Sequence, residues 1–108
     1  MFPAQQAVEK ALKGLLIFYN VEPEKTHNLV TLIKMLSKYT DVPEKINETA
    51  VLNDYAVQTR YPGDYTPISE DEYRDAVIMA EECVKWVDKK IKELLRRMEK
   101  DQLHLDNL

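Results

Sequence analysis

The C-terminal third of this 108-residue chain constrains the fold more than any other part. Ser69 and Glu72 have capping-box spacing, and the acidic residues between them suit the positive end of a helix dipole. Apolar residues then recur at alternating intervals of four and three: Tyr73, Val77, Ala80, Val84, Val87, Ile91, Leu94 and Met98. This spacing predicts a long helix with an apolar seam that packs along another helix.

Three earlier segments also have helical spacing. The first is expected from Ala4 to about Asn20, with these polar residues on its solvent face: Gln5, Glu9, Lys10 and Lys13. The second is expected from Thr26, as N-cap, to Tyr39. The third is expected from Asp41 to about Thr59, with a capping-box spacing between Asp41 and Glu44. No strand pattern is present, so we predict an all-α fold, an up-down antiparallel bundle of four main helices.

Length and composition narrow the class of protein. The chain fits a single domain, residues 1–108, with a flexible tail expected from about residue 100 to 108. Cys83 is the only cysteine, which excludes an internal disulfide and argues against thiol-bound zinc, and we expect neither a metal nor a cofactor. A net charge of −4 argues against broad coating of nucleic acid, although it permits a small basic pocket. Without a membrane-length apolar run or a signal-like start, a cytoplasmic protein is expected.

The segment between the third and fourth predicted helices has an unusual composition. Residues 59–67 read Thr-Arg-Tyr-Pro-Gly-Asp-Tyr-Thr-Pro, which includes two prolines and one of the two glycines of the chain. A short connection in a helical bundle does not need two tyrosines and an arginine. Loops that carry such groups on a rigid scaffold are where binding sites concentrate, so this loop is the leading candidate for function.

Three blocks of this sequence resemble the HEPN domain family. The blocks are Ala4–Lys13, which reads AQQAVEKALK, then Lys25–Leu29, which reads KTHNL, and Tyr55–Pro62, which ends in Arg60-Tyr61-Pro62. The resemblance implies a helical bundle that commonly dimerises and that often pairs with a small nucleotidyltransferase, in some cases as a toxin–antitoxin system. It also implies nucleotide binding, and, in a subset of members, cleavage of RNA.

The ribonuclease members of that family have a histidine four to six residues after an arginine, and this chain departs from their pattern. If Arg60 is the motif arginine, the corresponding window holds Asp64, Tyr65 and Thr66. Moving a proton near neutral pH suits histidine, whereas tyrosine, with an ordinary pKa near 10, is a poor substitute. The family also usually has a helix before the first block, so another chain could cover the apolar side that its absence leaves open, or the sequence begins late.

Six residues are candidates for a nucleotide-binding site: Arg60, Tyr61, Lys10, Lys13, His27 and Tyr55. The guanidinium of Arg60 suits a phosphate, and Tyr61 offers a ring on which a base can stack. The alternative for Arg60 is a structural role, in which it caps the third helix or pairs with Asp54 or Asp64. No catalytic residue is expected.

The other candidates also have structural alternatives. Lys10 and Lys13 could form the basic side of a phosphate pocket, or Lys13 could pair with Glu9 on a solvated face. His27 could bind a ligand or simply close the start of the second helix. Tyr55 could contact a ligand or be a half-buried core residue.

Two residues of the long helix favour structural roles. We interpret Cys83 as a small packing residue, and Trp86 as an interface anchor or the rim of the core.

The sequence therefore favours a non-catalytic nucleotide- or nucleic-acid-binding protein. It is expected to form a homodimer and to partner a minimal nucleotidyltransferase, as in a toxin–antitoxin pair. Two alternatives stay open: a ribonuclease that takes its histidine from elsewhere, such as His27, and a pure dimerisation scaffold.

Overall fold

The computed structural model describes the backbone of residues 3–53 and 69–106, and the side chains of residues 3–53 and 69–100. Helix α1 is Pro3–Phe18, α2 is Leu29–Leu36, α3 is Glu44–Asn47 and α4 is Glu70–Asp106, and a 3₁₀ turn, Glu48–Val51, follows α3 directly. No strand occurs among these residues, and the all-α bundle predicted from the sequence is confirmed.

Helix α1 is the centre of the bundle. Its buried apolar stripe, Val8, Leu12, Leu15 and Leu16, is fully shielded from solvent, and α1 packs against both α2 and α4. Burial of side chains of this size contributes roughly 1.5–3 kcal/mol each relative to leaving them exposed. The single core therefore forms around α1.

The C-terminal end of α1 is formed around Asn20. Asn20 has a positive φ of 64°, its N–H donates to the carbonyl of Ile17 at 2.8 Å, and the N–H of Val21 donates to that of Leu16 at 2.9 Å. This pair of bonds is a Schellman motif, in which asparagine tolerates the left-handed conformation better than most residues. The chain then turns back toward the N-terminal half of α1.

Helix α2 is shorter than the predicted span from Thr26 to Tyr39. Its N-cap is Asn28, whose side chain accepts a hydrogen bond from the N–H of Val30 at 3.0 Å. The hydroxyl of Thr26 instead accepts from the N–H of Asn28, so Thr26 supports the cap without being it. The predicted N-cap was wrong because Asn28, two residues later, caps the helix with its own side chain.

The third predicted helix differs most from the structure. Its N-cap is Pro43, which makes no side-chain cap bond, so the capping box predicted for Asp41 and Glu44 is wrong. After Asn47 the backbone tightens into the 3₁₀ turn, and the buried hydroxyl of Thr49 donates to the carbonyl of Ile46 at 2.6 Å. Leu52 and Asn53 resume helical geometry, and the predicted extension to Thr59 lies outside the described residues.

Helix α4 begins as predicted, but the face that it turns toward the core differs from the predicted seam. The hydroxyl of Ser69 accepts from the N–H of Glu72 at 3.1 Å. The side chains of α4 buried in the core are Ala76, Ala80, Cys83 and Val87, whereas Tyr73, Val84 and Met98 of the predicted seam are exposed. The packing role of Cys83 is confirmed, and Trp86 lies at the rim of the core. Helix α4 therefore has more apolar surface than the core uses.

Burial of Cys83 predicts an inert thiol. Desolvation raises its pKa from 9.0 to about 12, which lowers the thiolate fraction near neutral pH about a thousandfold. We expect iodoacetamide at pH 8 to label the folded protein far more slowly than the same chain in guanidinium chloride, as followed by mass spectrometry. Equally fast labelling of the two would contradict the burial.

The same pKa shift makes the free energy of unfolding depend on pH. Between about pH 9 and 12 the unfolded thiol loses its proton while the folded one keeps it, so this group lowers the free energy of unfolding as the pH rises through that window. It contributes nothing at pH 7, where both states are protonated. Replacing Cys83 with Ala removes this contribution and should flatten the alkaline decline measured by denaturant titration.

Candidate functional site

The structure buries two polar residues that the sequence placed on a solvent face. Gln5 and Glu9 lie one helical turn apart on α1 and are 4 % and 8 % exposed. The expectation of a solvated face was wrong for both, because other segments cover this flank of α1. They belong to a group that we call the polar cluster: Gln5, Glu9, Lys13, His27, Asn28 and Asn53.

The carboxylate of Glu9 joins two of the predicted site residues. Its Oε1 lies 2.7 Å from Nδ1 of His27, and its Oε2 lies 3.6 Å from Nζ of Lys13. Because an ionised carboxylate only accepts hydrogen bonds, the imidazole donates from Nδ1 and its Nε2 is directed elsewhere. A buried charge needs such partners, so Glu9 fixes His27 and Lys13 beside each other.

Asn53 connects three parts of the chain through its side-chain amide. Its Oδ1 accepts from the backbone N–H of Leu29 at 3.2 Å and, at a longer 3.4 Å, from Nε2 of Gln5. Its Nδ2 donates to Oδ1 of Asn28 at 3.0 Å. The first turn of α2 is thus tied to α1 through Asn53, at the point where the described chain reaches residue 53.

Gln5 has one acceptor without a hydrogen-bond partner among the described residues. Its Oε1 is buried there, although its amide nitrogen donates to Asn53. Buried polar atoms in folded proteins are nearly always paired, and an exception calls for a physical explanation.

The structure brings together only some of the predicted site residues. Lys13 and His27 share Glu9, and the side chain of His27 is 67 % exposed, so its ring reaches solvent from a buried anchor. The alternative reading of Lys13, a pair with Glu9, is confirmed as a contact. Lys10 is exposed and lies outside the cluster. Tyr55, Arg60 and Tyr61 lie outside the described residues.

Sequence reasoning missed Gln5, Glu9, Asn28 and Asn53 as cluster members. One signal was available: residues 5, 9 and 13 recur every four positions, so they line one flank beside the apolar stripe of α1. Polar residues at such a border are found both exposed and buried, and the periodicity alone does not separate the two cases. The contact between Gln5 and Asn53, which are 48 positions apart, had no signal in the local pattern.

Neither a metal-binding group nor a membrane-spanning helix occurs among the described residues. They contain no group of three His, Cys, Asp or Glu side chains close enough to hold a metal ion. In the same part of the chain, no helix has both the length and the apolar character needed to cross a bilayer.

These features define an all-α bundle with a polar cluster between its first and second helices. The family model of the HEPN domain matches residues 1–100, and the chain therefore belongs to the HEPN domain family. At the level of the family, this membership indicates a function related to nucleotides or RNA. Searches of curated proteins and of solved structures gave no match.

The hydrogen bonds of Asn53 predict a sensitive position. We expect Asn53→Ala to lower the free energy of unfolding by about 1–3 kcal/mol, because it leaves the N–H of Leu29 and the amide of Gln5 without their acceptor. Asn47→Ala is the matched control, since Asn47 is exposed at the end of α3 and should change stability by at most about 0.5 kcal/mol. If denaturant titration gives the same free energy of unfolding for Asn53→Ala and Asn47→Ala, the hydrogen bonds of Asn53 do not stabilise the fold.

Proposed function

We propose that this protein is a non-catalytic nucleotide- or nucleic-acid-binding HEPN domain whose site adjoins the polar cluster. The observation that supports the proposal most is the anchoring of Asn53 to both α1 and the first turn of α2. Tyr55, Arg60 and Tyr61 follow Asn53 closely in the sequence.

In the proposed site, each candidate residue has a distinct task. Arg60 and Lys13 pair with phosphate oxygens, with Lys10 adding positive charge at the edge. Tyr55 and Tyr61 supply aromatic surface for a base. His27, held by Glu9, directs its second ring nitrogen toward the ligand.

The proposal includes a minimal nucleotidyltransferase as protein partner, as in a toxin–antitoxin pair. Its basis is the resemblance of the three sequence blocks to HEPN proteins. The absence of catalysis is proposed on chemical grounds, because the window after Arg60 contains no histidine.

Binding measurements test the proposed site. We expect ATP, GTP or a short single-stranded RNA to bind the wild-type protein, and Arg60→Ala to weaken binding about tenfold, the loss of one charge-assisted contact. Arg97→Ala is the control, since Arg97 is exposed on the distal part of α4 and its loss should alter affinity less than about twofold. Calorimetric titrations with identical, weak affinities for wild type and Arg60→Ala would remove the proposed pocket.

A ribonuclease is the second candidate, and the Glu9–His27 pair favours it. A carboxylate that holds an imidazole at Nδ1 fixes its tautomer and leaves Nε2 available to accept or donate a proton. On this reading His27, together with Arg60, would cleave RNA.

Incubation with RNA separates the two candidates. The binding proposal expects no cleavage by wild-type protein. The ribonuclease reading expects cleavage that falls by a factor of about 100 or more in His27→Ala and persists in Arg97→Ala. Cleavage that is equal in wild type and His27→Ala would point to a contaminating nuclease.

A further inference from the structure

Helix α4 presents three different sides to its surroundings. One side packs into the core, and a second borders an open apolar groove of about 400 Å³, which Pro3, Ala4 and Ala7 of α1 also line. The third side faces solvent in the C-terminal part of the helix, where exposed basic residues recur three or four positions apart. We call these residues the basic row: Lys85, Lys89, Lys92, Arg96 and Lys100.

Helical geometry brings the basic row into one narrow line. At about 100° per residue, its side chains lie within roughly 80° of the helix circumference, and the line is about 22 Å long. Between residues 85 and 100 no acidic residue falls within that sector, because Asp88, Glu93 and Glu99 lie on its flanks. Residues 85–100 contain seven basic and three acidic side chains, a net charge of +4. The rest of the chain contains eight basic and sixteen acidic side chains, a net charge of −8.

Contacts within the protein do not account for the basic row. Lys92 pairs with Asp88 at 2.9 Å, and the other four members make no ion pair with any described residue. The helix dipole favours cations only near the last turn. Because α4 continues to Asp106, the dipole does not explain a row that begins at Lys85. A solvated helix face normally mixes charges of both signs, and this side of α4 does not.

An open polar hollow lies among the members of the row. It has a volume of about 270 Å³ and is lined by Asp88, Lys89, Lys92, Glu93 and Arg96. Asp88 is engaged by Lys92, whereas Lys89 and Arg96 have no carboxylate partner among the described residues. A ligand that meets the hollow and the rest of the row must therefore carry several negative charges in a line.

The composition of the basic row favours a nucleic acid over a protein or a membrane. The row contains no apolar or aromatic side chain, and the exposed Leu95 and Met98 lie on another side of the same part of α4. Protein interfaces have an apolar core rich in aromatic residues, and helices that lie on membranes bury an apolar face. The backbone of a nucleic acid is a regular line of phosphates, which basic side chains bind without apolar contacts.

We propose that the basic row binds the phosphate backbone of a nucleic-acid strand, whatever its base sequence. Lys85, Lys89, Arg96 and Lys100 each neutralise a phosphate, and Lys92 stays paired with Asp88. None of these residues belongs to the polar cluster, so this proposal does not rest on the nucleotide site proposed above. A mononucleotide does not need the basic row, whereas a strand does.

Fluorescence anisotropy with a labelled twelve-nucleotide oligouridylate tests the proposal on the full-length protein. At even 3.4 Å per nucleotide, roughly 40 Å in all, this strand is longer than the row. We expect the wild type to bind it, and the double variant Lys89→Ala, Arg96→Ala to bind about tenfold more weakly, because two phosphate contacts are lost. The slope of log Kd against log salt concentration should fall in magnitude by about 1.4, since each contact with a single strand contributes about 0.7.

The matched control is the double variant Lys90→Ala, Arg97→Ala. It removes the same charge from the same part of α4, but outside the basic row, and salt screens charges that lie about a Debye length from the strand. Its affinity for the strand should therefore fall less than about threefold. Circular dichroism checks that both variants are folded. An oligodeoxythymidylate of the same length should bind like the RNA, and titrations with ATP should give the same result for wild type and both variants.

Three results would overturn the proposal. The first is a wild-type protein that binds neither strand. The second is an equal loss of affinity in the two double variants, which would show that only net charge matters. The third is equally tight binding of a glutamate oligomer with the same number of charges, which would make the basic row a site for acidic protein segments.

Discussion

The packing of α1 against α2 and α4 is the constraint on which the other features depend. The apolar stripe of α1 fixes the rotation of this helix about its own axis, and that rotation decides what its two flanks contact. One flank presents Gln5 and Glu9 to the segments around α2 and Asn53. The other flank presents Ala4 and Ala7 to the groove beside α4. A single buried stripe therefore positions both the polar cluster and the apolar groove.

The buried carboxylate of Glu9 gives the cluster its local order. A charge that is withdrawn from water is costly unless it is paired, and the hydrogen bond to His27 at 2.7 Å is the shorter of its two contacts. The pairing also explains why the exposed ring of His27 is oriented although most of its surface meets solvent. The cluster brings one carboxylate, one lysine and one histidine together. The net charge of the whole chain, −4, therefore does not describe the local charge at the polar cluster.

The sequence predicted the number and type of helices, because 3.6-residue periodicity reports directly on burial of one helix face. It did not predict which face of α4 turns toward the core. That helix has two adjacent apolar faces, and apolar residues recur at intervals of four and three along both. Residues 73 and 84 were predicted to face the core but are exposed, whereas residues 76 and 83, outside the predicted seam, are buried. The contacts of Glu9 with His27 and of Gln5 with Asn53 could not be predicted either, since they join residues far apart in the chain and depend on the tertiary fold. Of the six residues predicted for the candidate site, Lys13 and His27 are the two that the described structure brings to one group, Glu9.

Helical geometry keeps the two surfaces of α1 apart. Residues 5, 9 and 13 and residues 3, 4 and 7 lie on opposite sides of the buried stripe, so none of these residues belongs to both surfaces. Along α1, a change at one surface would reach the other only through a shift of α1 as a rigid element. The tight core around Leu12, Leu15 and Leu16 resists such a shift, because well-packed interiors do not deform continuously. The packing of α1 therefore holds the polar cluster and the apolar groove in place as two separate surfaces.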